Sequence, residues 1–377
     1  MGQQRESKLL KSDKPYKGGN AMKKKFLFGL LAGTFVLLFL GVGPNAATAA
    51  PEKIALGFVT IWNMNHYTST DQIPRFFKMV EKAAKGKYTL DIKWYPVGTL
   101  LGGSEIYDGI AKGIADSGIS SFGYAPGRFP VILALNQSGV APPENADAAA
   151  RTVWEYYNKW KPKELEGTKI LYLCATGPGW LHSKKPIRTV EQMKGLKIRC
   201  TGGGVLGVKA VGGDPIGMPM GDVYLAGQKG VIEANVAPVE VLEGWKHHEV
   251  FEYSTFVPHF YSEFFHINMN WAKWKALPKD LQDAFDAVAM DAVKDAGQIW
   301  QYQQQKGMDF AKAGPGGHEF IYLPKEEVAK LQKLCEPVRG QYIATLNSKG
   351  LPGEEIVKSA TEIMEKNNKL KYEPWKP

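Results

Sequence analysis

The sequence predicts an α/β fold made of two related domains, and three observations carry that prediction. Strand and helix patterns alternate near the start of the folded part and again from about residue 169. The segment 105–119 recurs at 222–236. A single helical pattern runs from Pro278 to about Ala313, roughly 54 Å at about 1.5 Å per residue. That is long for one domain and suits a backbone shared by two.

The first alternation opens with a short strand at 53–59, followed by the polar–aromatic loop Trp62-Asn63-Met64-Asn65-His66. Ile73, Phe76, Phe77, Val80 and Ala84 then recur at helical spacing, and Gly86 supplies a stop. Leu90, Ile92 and Trp94 alternate as in a strand, which Pro96 ends. Strand–helix–strand order of this kind places ligand sites on the loops at strand ends. The stretch 141–150 is a connection rather than a flexible linker, and 151–160 reads as a helix. Strands at 169–174 and 196–200 and a helix at 205–211 restart the alternation.

The recurring segment shares an acid, an aliphatic residue, Tyr, Lys-Gly, a second aliphatic, a second acid and a third aliphatic, all at the same spacing. Each copy reads as a helix, a Gly stop after a basic last turn, then a buried strand. In the long helix Leu281, Phe285, Val288, Ala292 and Ile299 form one face, and the run 314–317 stops it. A strand at 319–323 and helices near 326–346 and 354–367 follow, with Pro337 expected to kink or split the first of these helices. The expected boundaries are an N-terminal extension and signal at 1–49, a first domain at 50–176 plus about 262–302, and a second at 177–261 plus about 303–377.

Charge argues against a nucleic-acid partner. The 377 residues carry a formal net charge of +9, from 47 basic and 38 acidic residues. Eight of the basic and two of the acidic residues lie in 1–49, so 50–377 holds 39 against 36. No concentrated basic stripe remains of the kind a duplex-binding surface needs. The N-terminal excess belongs to a targeting pattern. Lys23, Lys24 and Lys25 precede an uncharged apolar run over 26–42, then Pro44, then Ala47-Thr48-Ala49 as a cleavage site. A retained membrane anchor is the other reading of that run, which sits at the lower edge for a membrane span. The small-residue exit favours cleavage near Ala49 and a mature chain in the periplasm. Cys174, Cys200 and Cys335 show no C-x-x-C spacing and read as small buried hydrophobes.

The sequence contains no G-x-S-x-G, H-E-x-x-H or Walker loop. His247, His248 and His259 lack metal-site spacing, and no cofactor is expected. Gly202-Gly203-Gly204 follows a strand and opens a helix, so its amides are candidates to cradle an anion. Arg199 ends the preceding strand. A strand-end Arg beside free amides suits a carboxylate, because its two parallel N–H donors match two oxygens and the helix dipole adds to them. A structural Arg is the alternative on spacing alone.

Met193-Lys194-Gly195-Leu196-Lys197-Ile198-Arg199, then Gly213-Asp214-Pro215-Ile216-Gly217-Met218-Pro219-Met220-Gly221-Asp222-Val223-Tyr224, then Lys229-Gly230-Val231-Ile232-Glu233, resembles the core of the TRAP transporter solute-binding proteins, the DctP-type family. Gly102-Gly103-Ser104-Glu105, Lys112-Gly113-Ile114-Ala115-Asp116 and Tyr124-Ala125-Pro126-Gly127-Arg128-Phe129 resemble it too. So does Met269-Asn270 with Trp274 and Leu277-Pro278 ahead of the long helix. The resemblance covers 52–370. It implies a two-lobed periplasmic binding protein-like fold, with the long helix spanning both domains, that closes on a small organic carboxylate. It implies integral membrane TRAP transporter subunits as partners.

The resemblance further implies that Arg199 makes a salt bridge to the ligand carboxylate and that Met220 faces the ligand. The strand end at Asn235 falls where sialic-acid-binding relatives supply a polar side chain. Here Ala237 replaces their Asn, and no second Arg stands near Trp180. A highly polar sugar acid therefore fits poorly. Trp180, Met220, Trp62, Tyr124 and Tyr261 would instead line an aromatic pocket around one Arg, favouring a monocarboxylate with an apolar or aromatic body. Asn235, His66 and Arg128 complete the candidate set. Core packing is the alternative for each aromatic residue, and a structural role for Arg128. The expected function is a non-enzymatic receptor for a small organic acid. The alternative is the ligand-binding subunit of an extracytoplasmic sensory system. A secreted hydrolase lacks any nucleophile–base constellation here.

Overall fold

The computed structural model describes residues 50–314 and 317–375. The targeting pattern and its cleavage site near Ala49 lie outside them. In the first half β1 (Glu52–Thr60), α1 (Ile73–Ala83), β2 (Tyr88–Tyr95), α2 (Ile106–Ala111) and β3 (Ser117–Ser121) alternate, and α3 (Ala146–Trp160) leads to β4 (Lys169–Ala175). The second half runs through β5 (Trp180–Ser183), β6 (Lys197–Cys200), α4 (Val205–Ala210), β7 (Asp214–Gly217), α5 (Met220–Gln228), β8 (Ala234–Ala237), α6 (Val241–Gly244) and β9 (Tyr253–Phe256). β10 (Phe264–Met269) follows, then α7 (Trp271–Ala276), α8 (Lys279–Ala313), β11 (Glu319–Ile321), α9 (Lys325–Ser348) and α10 (Gly353–Asn368).

Two sheets result, one per lobe. The first has the order β2-β1-β3-β10-β4, with β1 parallel to β2 and β3 and with β10 antiparallel to β3 and β4. The second has the order β11-β9-β5-β8-β6-β7. There β6 runs parallel to β7 and β8, while β5 runs antiparallel to β8 and β9. β10 thus returns the chain to the first sheet. The recurring segment forms the same unit in each lobe, α2 with β3 and α5 with β8. Gly113 and Gly230, at φ of 78° and 72°, take the left-handed turn that ends each helix.

The apolar face of α1 buries Ile73, Phe76, Phe77 and Val80. The Phe76 ring lies 4.7 Å from Tyr172 on β4 and 5.8 Å from Phe285 on α8. Helix α8 packs on α1, α3 and β4 of the first lobe and on α6 of the second, as its length predicts. Two glycines permit the closest approaches. A Cβ on Gly297 would lie 2.7 Å from Asp147 Cα in α3, and one on Gly307 would lie 2.8 Å from Glu240 Cα in the second lobe.

Two expectations need correction. Helix α9 continues through Pro337 without splitting there. Its flanking turns bury Leu331, Cys335, Val338 and Tyr342, and that packing outweighs one lost backbone hydrogen bond. Helix α10 packs on α3 and buries Ile356, Val357, Ala360 and Met364 in the cluster that holds Val153 and Tyr156. Residues 353–368 therefore join the first lobe, whereas the sequence places all of 303–377 with the second. An amphipathic pattern identifies a buried face but not the element that covers it.

Candidate functional site

Arg199 is the third residue of β6 and is fully buried. Its Nε donates to the Met218 carbonyl at 2.9 Å. Its Nη1 donates to Asn235 Oδ1 at 3.2 Å and to the Val236 carbonyl at 3.3 Å. Nη2 has no hydrogen-bond partner among the described residues. No carboxylate among them lies within ion-pair distance of the guanidinium either. A buried cation without a counter-ion is costly, so this arrangement is suited to receiving an anion.

The first lobe brings Tyr124 to the same place. A short turn after β3, Phe122–Tyr124, carries it, and its hydroxyl accepts a hydrogen bond from the Met220 amide at 3.1 Å. That amide opens α5, so the contact joins the two lobes. Burial raises the Tyr124 pKa, and the Arg199 charge opposes the rise. Cavities of about 200 and 210 Å³ adjoin Tyr124, one lined by Thr201 and Met218 and the other by Ile61 and Pro219. Tyr261 is buried near the same charges. Its pKa is pushed well up by burial and then by Glu263, against the pull of Arg199.

A second contact between the lobes involves His66. Its Nδ1 accepts from the Thr68 amide at 3.2 Å, which leaves the ring proton on Nε2. Nε2 donates to Glu240 Oε2 at 3.3 Å, and both side chains are at most 3% exposed. Trp62 stacks on His66 at 5.3 Å and lies 5.2 Å from Phe265, so it packs in the first-lobe core. Tyr67, beside this pair, has a buried hydroxyl without a partner among the described residues.

Other expected site residues fall elsewhere. Arg128 is not brought to Arg199. Its guanidinium pairs with Asp108 at 3.3 Å, donates to the Glu164 carbonyl at 3.0 Å and lies over the rings of Tyr107 and Phe129. Trp180 is the first residue of β5, and its ring packs among Phe256, Phe320 and Tyr322. Strand β5 has only four residues, too few for an alternating pattern to stand out. The Met220 side chain packs with Val223, Phe251 and Ala237 while its amide meets Tyr124. Asn235 lies beneath Arg199 and bridges it to His247.

The triple glycine faces the first lobe, whose side chains pack against Gly202 and Gly203, and Gly202 also lines the cavity of about 200 Å³ beside Tyr124. A Cβ on Gly202 would lie 3.0 Å from Pro126 Cβ, and one on Gly203 would overlap Asn136. Gly203→Ala is expected to lower stability by about 1–3 kcal/mol through that overlap. A urea midpoint equal to that of the unmodified protein would refute the packing argument.

The sequence reading missed Glu240, Tyr67 and Glu263. Glu263 is buried ahead of β10 and accepts from the Ser121 hydroxyl at 2.8 Å and from Asn136 Nδ2 at 3.4 Å. Burial raises its pKa. A lone Glu ahead of Phe264-Phe265 was the available signal for it. Glu240 and Tyr67 gave none, since each matters only through its partner in space.

Residues 58–345 match the model of bacterial extracellular solute-binding protein family 7, DctP. The chain is 25% identical over 337 residues to the 2,3-diketo-L-gulonate-binding periplasmic protein YiaO of Escherichia coli K12, covering 88% of this chain and 98% of that one. A TRAP solute-binding protein of Rhodoferax ferrireducens T118, solved in complex with copurified benzoate, is 27% identical with a TM-score of 0.78. That match covers 84% of this chain and 99% of the other. A marine metagenome TRAP solute-binding protein specific for aromatic acid ligands, in complex with metahydroxyphenylacetate, is 26% identical with a TM-score of 0.78, over 84% and 100% of the two chains.

Proposed function

The chain belongs to family 7 of the bacterial extracellular solute-binding proteins, and we propose that it captures a monocarboxylate with an apolar or aromatic body through a salt bridge to Arg199. Such receptors bind small acids and deliver them to membrane TRAP components without chemical conversion. The supporting observation is the buried Arg199, whose Nη2 has no partner among the described residues and which faces no carboxylate at ion-pair distance. A bound carboxylate would act as its counter-ion. Tyr124–Met220 and His66–Glu240 cross between the lobes, so hinge closure over the ligand would make both contacts. Among the described residues Arg199 is the one buried Arg, which fits a single carboxylate. Benzoate and metahydroxyphenylacetate, bound by two similar proteins, are acids of the proposed shape. A signal peptide ending near Ala49 would carry the chain to the periplasm.

A thermal-shift panel of benzoate, 3-hydroxyphenylacetate, aliphatic 2-oxoacids and polyhydroxylated sugar acids tests this reading. Ligand at a hundred times its Kd adds about 2.7 kcal/mol of stability, a clear rise in Tm. Aromatic or branched monocarboxylates are expected to produce it. A response confined to the sugar acids would rule the proposal out.

A further inference from the structure

We propose that His247 is a positioning residue for the ligand anchor, holding the Asn235 amide in the one orientation that supports Arg199. The inference rests on the reading of Arg199 as the carboxylate anchor. A guanidinium only donates hydrogen bonds. Asn235 must therefore turn its oxygen toward Arg199 Nη1, 3.2 Å away, and its NH₂ group to the other side. On that side stands His247 Nδ1, 3.3 Å from Asn235 Nδ2. It satisfies the amide only as an acceptor, with the ring proton on Nε2. The chain from His247 through Asn235 to Arg199 then has a single consistent direction of donation.

Nothing else in the cradle can be tuned in this way. The remaining contacts of Arg199 go to the backbone carbonyls of Met218 and Val236. Asn235 supplies the side-chain acceptor that holds Nη1, and so helps set the guanidinium plane and the direction of Nη2. A donor in place of His247 Nδ1 would favour the flipped amide. The flip would set Asn235 Nδ2 against Nη1, donor against donor, and turn the guanidinium.

The surroundings keep His247 neutral. It is buried on the turn His247–Glu249, with the Phe251 ring edge-on at 5.9 Å. Burial, then His182 on β5, Arg199 on β6 and the adjacent His248, hold its pKa well below the usual imidazole value. Nε2 has no partner among the described residues, so no donor there competes for the assignment.

Two variants and one spectrum test this, with benzoate as the probe. His247→Leu removes the acceptor and is expected to weaken benzoate binding about tenfold, the worth of one buried hydrogen bond. His247→Asn restores an acceptor oxygen near the Nδ1 position and is expected to recover most of that loss at similar thermal stability. If both variants bind alike, or His247→Leu binds normally while Arg199→Ala does not, the positioning role falls and the anchor reading stands. If Arg199→Ala also binds normally, the anchor reading falls. A long-range ¹H–¹⁵N imidazole spectrum of the unmodified protein near neutral pH needs no ligand. Nδ1 unprotonated is the expected result, and a proton on Nδ1 overturns the inference.

Discussion

Replacing Arg199 with Ala is expected to weaken benzoate binding by at least about 30-fold, to the point where calorimetry detects little heat. Truncating one partner of a buried, hydrogen-bonded charge pair costs about 2–5 kcal/mol or more. Arg199 is fully buried, and no other Lys or Arg among the described residues is buried, so a carboxylate reaching it sheds its water and depends on this cation. The substitution also strands acceptors at Asn235 Oδ1, Met218 and Val236. A stability loss is expected beside the binding loss, and the two must be separated. Arg199→Lys serves that purpose. It keeps the charge but not the planar fork, so binding should fall between that of the Ala variant and that of the unmodified protein. Near-normal benzoate affinity in a folded Ala variant would remove Arg199 from the site.

The largest expected loss of stability comes from Trp300→Ala. Trp300 lies on α8, is 1% exposed and stacks on Phe265 at 5.4 Å. Its ring also meets Tyr67 at 5.2 Å and Trp62 at 6.1 Å, and its Nε1 donates to Gln72 Oε1 at 3.0 Å. Removing a buried Trp typically costs about 3–5 kcal/mol through lost burial and the cavity left behind. Urea unfolding should show a loss of that size. Trp62, His66 and Tyr67 lean on this ring, so the His66–Glu240 contact between the lobes should loosen as well and ligand affinity should fall. Trp300→Phe keeps most of the ring area and loses mainly the Gln72 bond, worth about 1 kcal/mol. A loss below about 1 kcal/mol for the Ala variant would contradict the packing described here.

Much of the architecture is legible before any coordinates. The recurring segment identifies the α2–β3 and α5–β8 units, and the apolar face of 281–299 identifies α8 as one helix. Arg199 stands at a strand end ahead of a glycine turn, as read. These features are local: each is written in the spacing of residues within one element. The misplaced features share a different character. Trp180 reads as a pocket candidate, and the strand that packs it among Phe256, Phe320 and Tyr322 is only four residues long and is defined by its neighbours β8 and β9. Arg128 carries the chemistry of an anion site but lies beside Asp108. The glycines at 202–204 have the spacing of an anion cradle, and Pro126 and Asn136 pack against Gly202 and Gly203.

Sequence alone determined the α/β class, the paired lobes and the shared helix, because periodicity and turn chemistry act over a few residues; Arg199 became the candidate anchor through the resemblance of its surrounding motif to the family. Tertiary structure alone decided which lobe covers α10, which aromatic rings pack in cores, and that His66 meets Glu240 and Asn235 meets His247. Those are choices of partner. Each is settled by burial and hydrogen-bond satisfaction among residues distant in the chain, and no spacing rule records them.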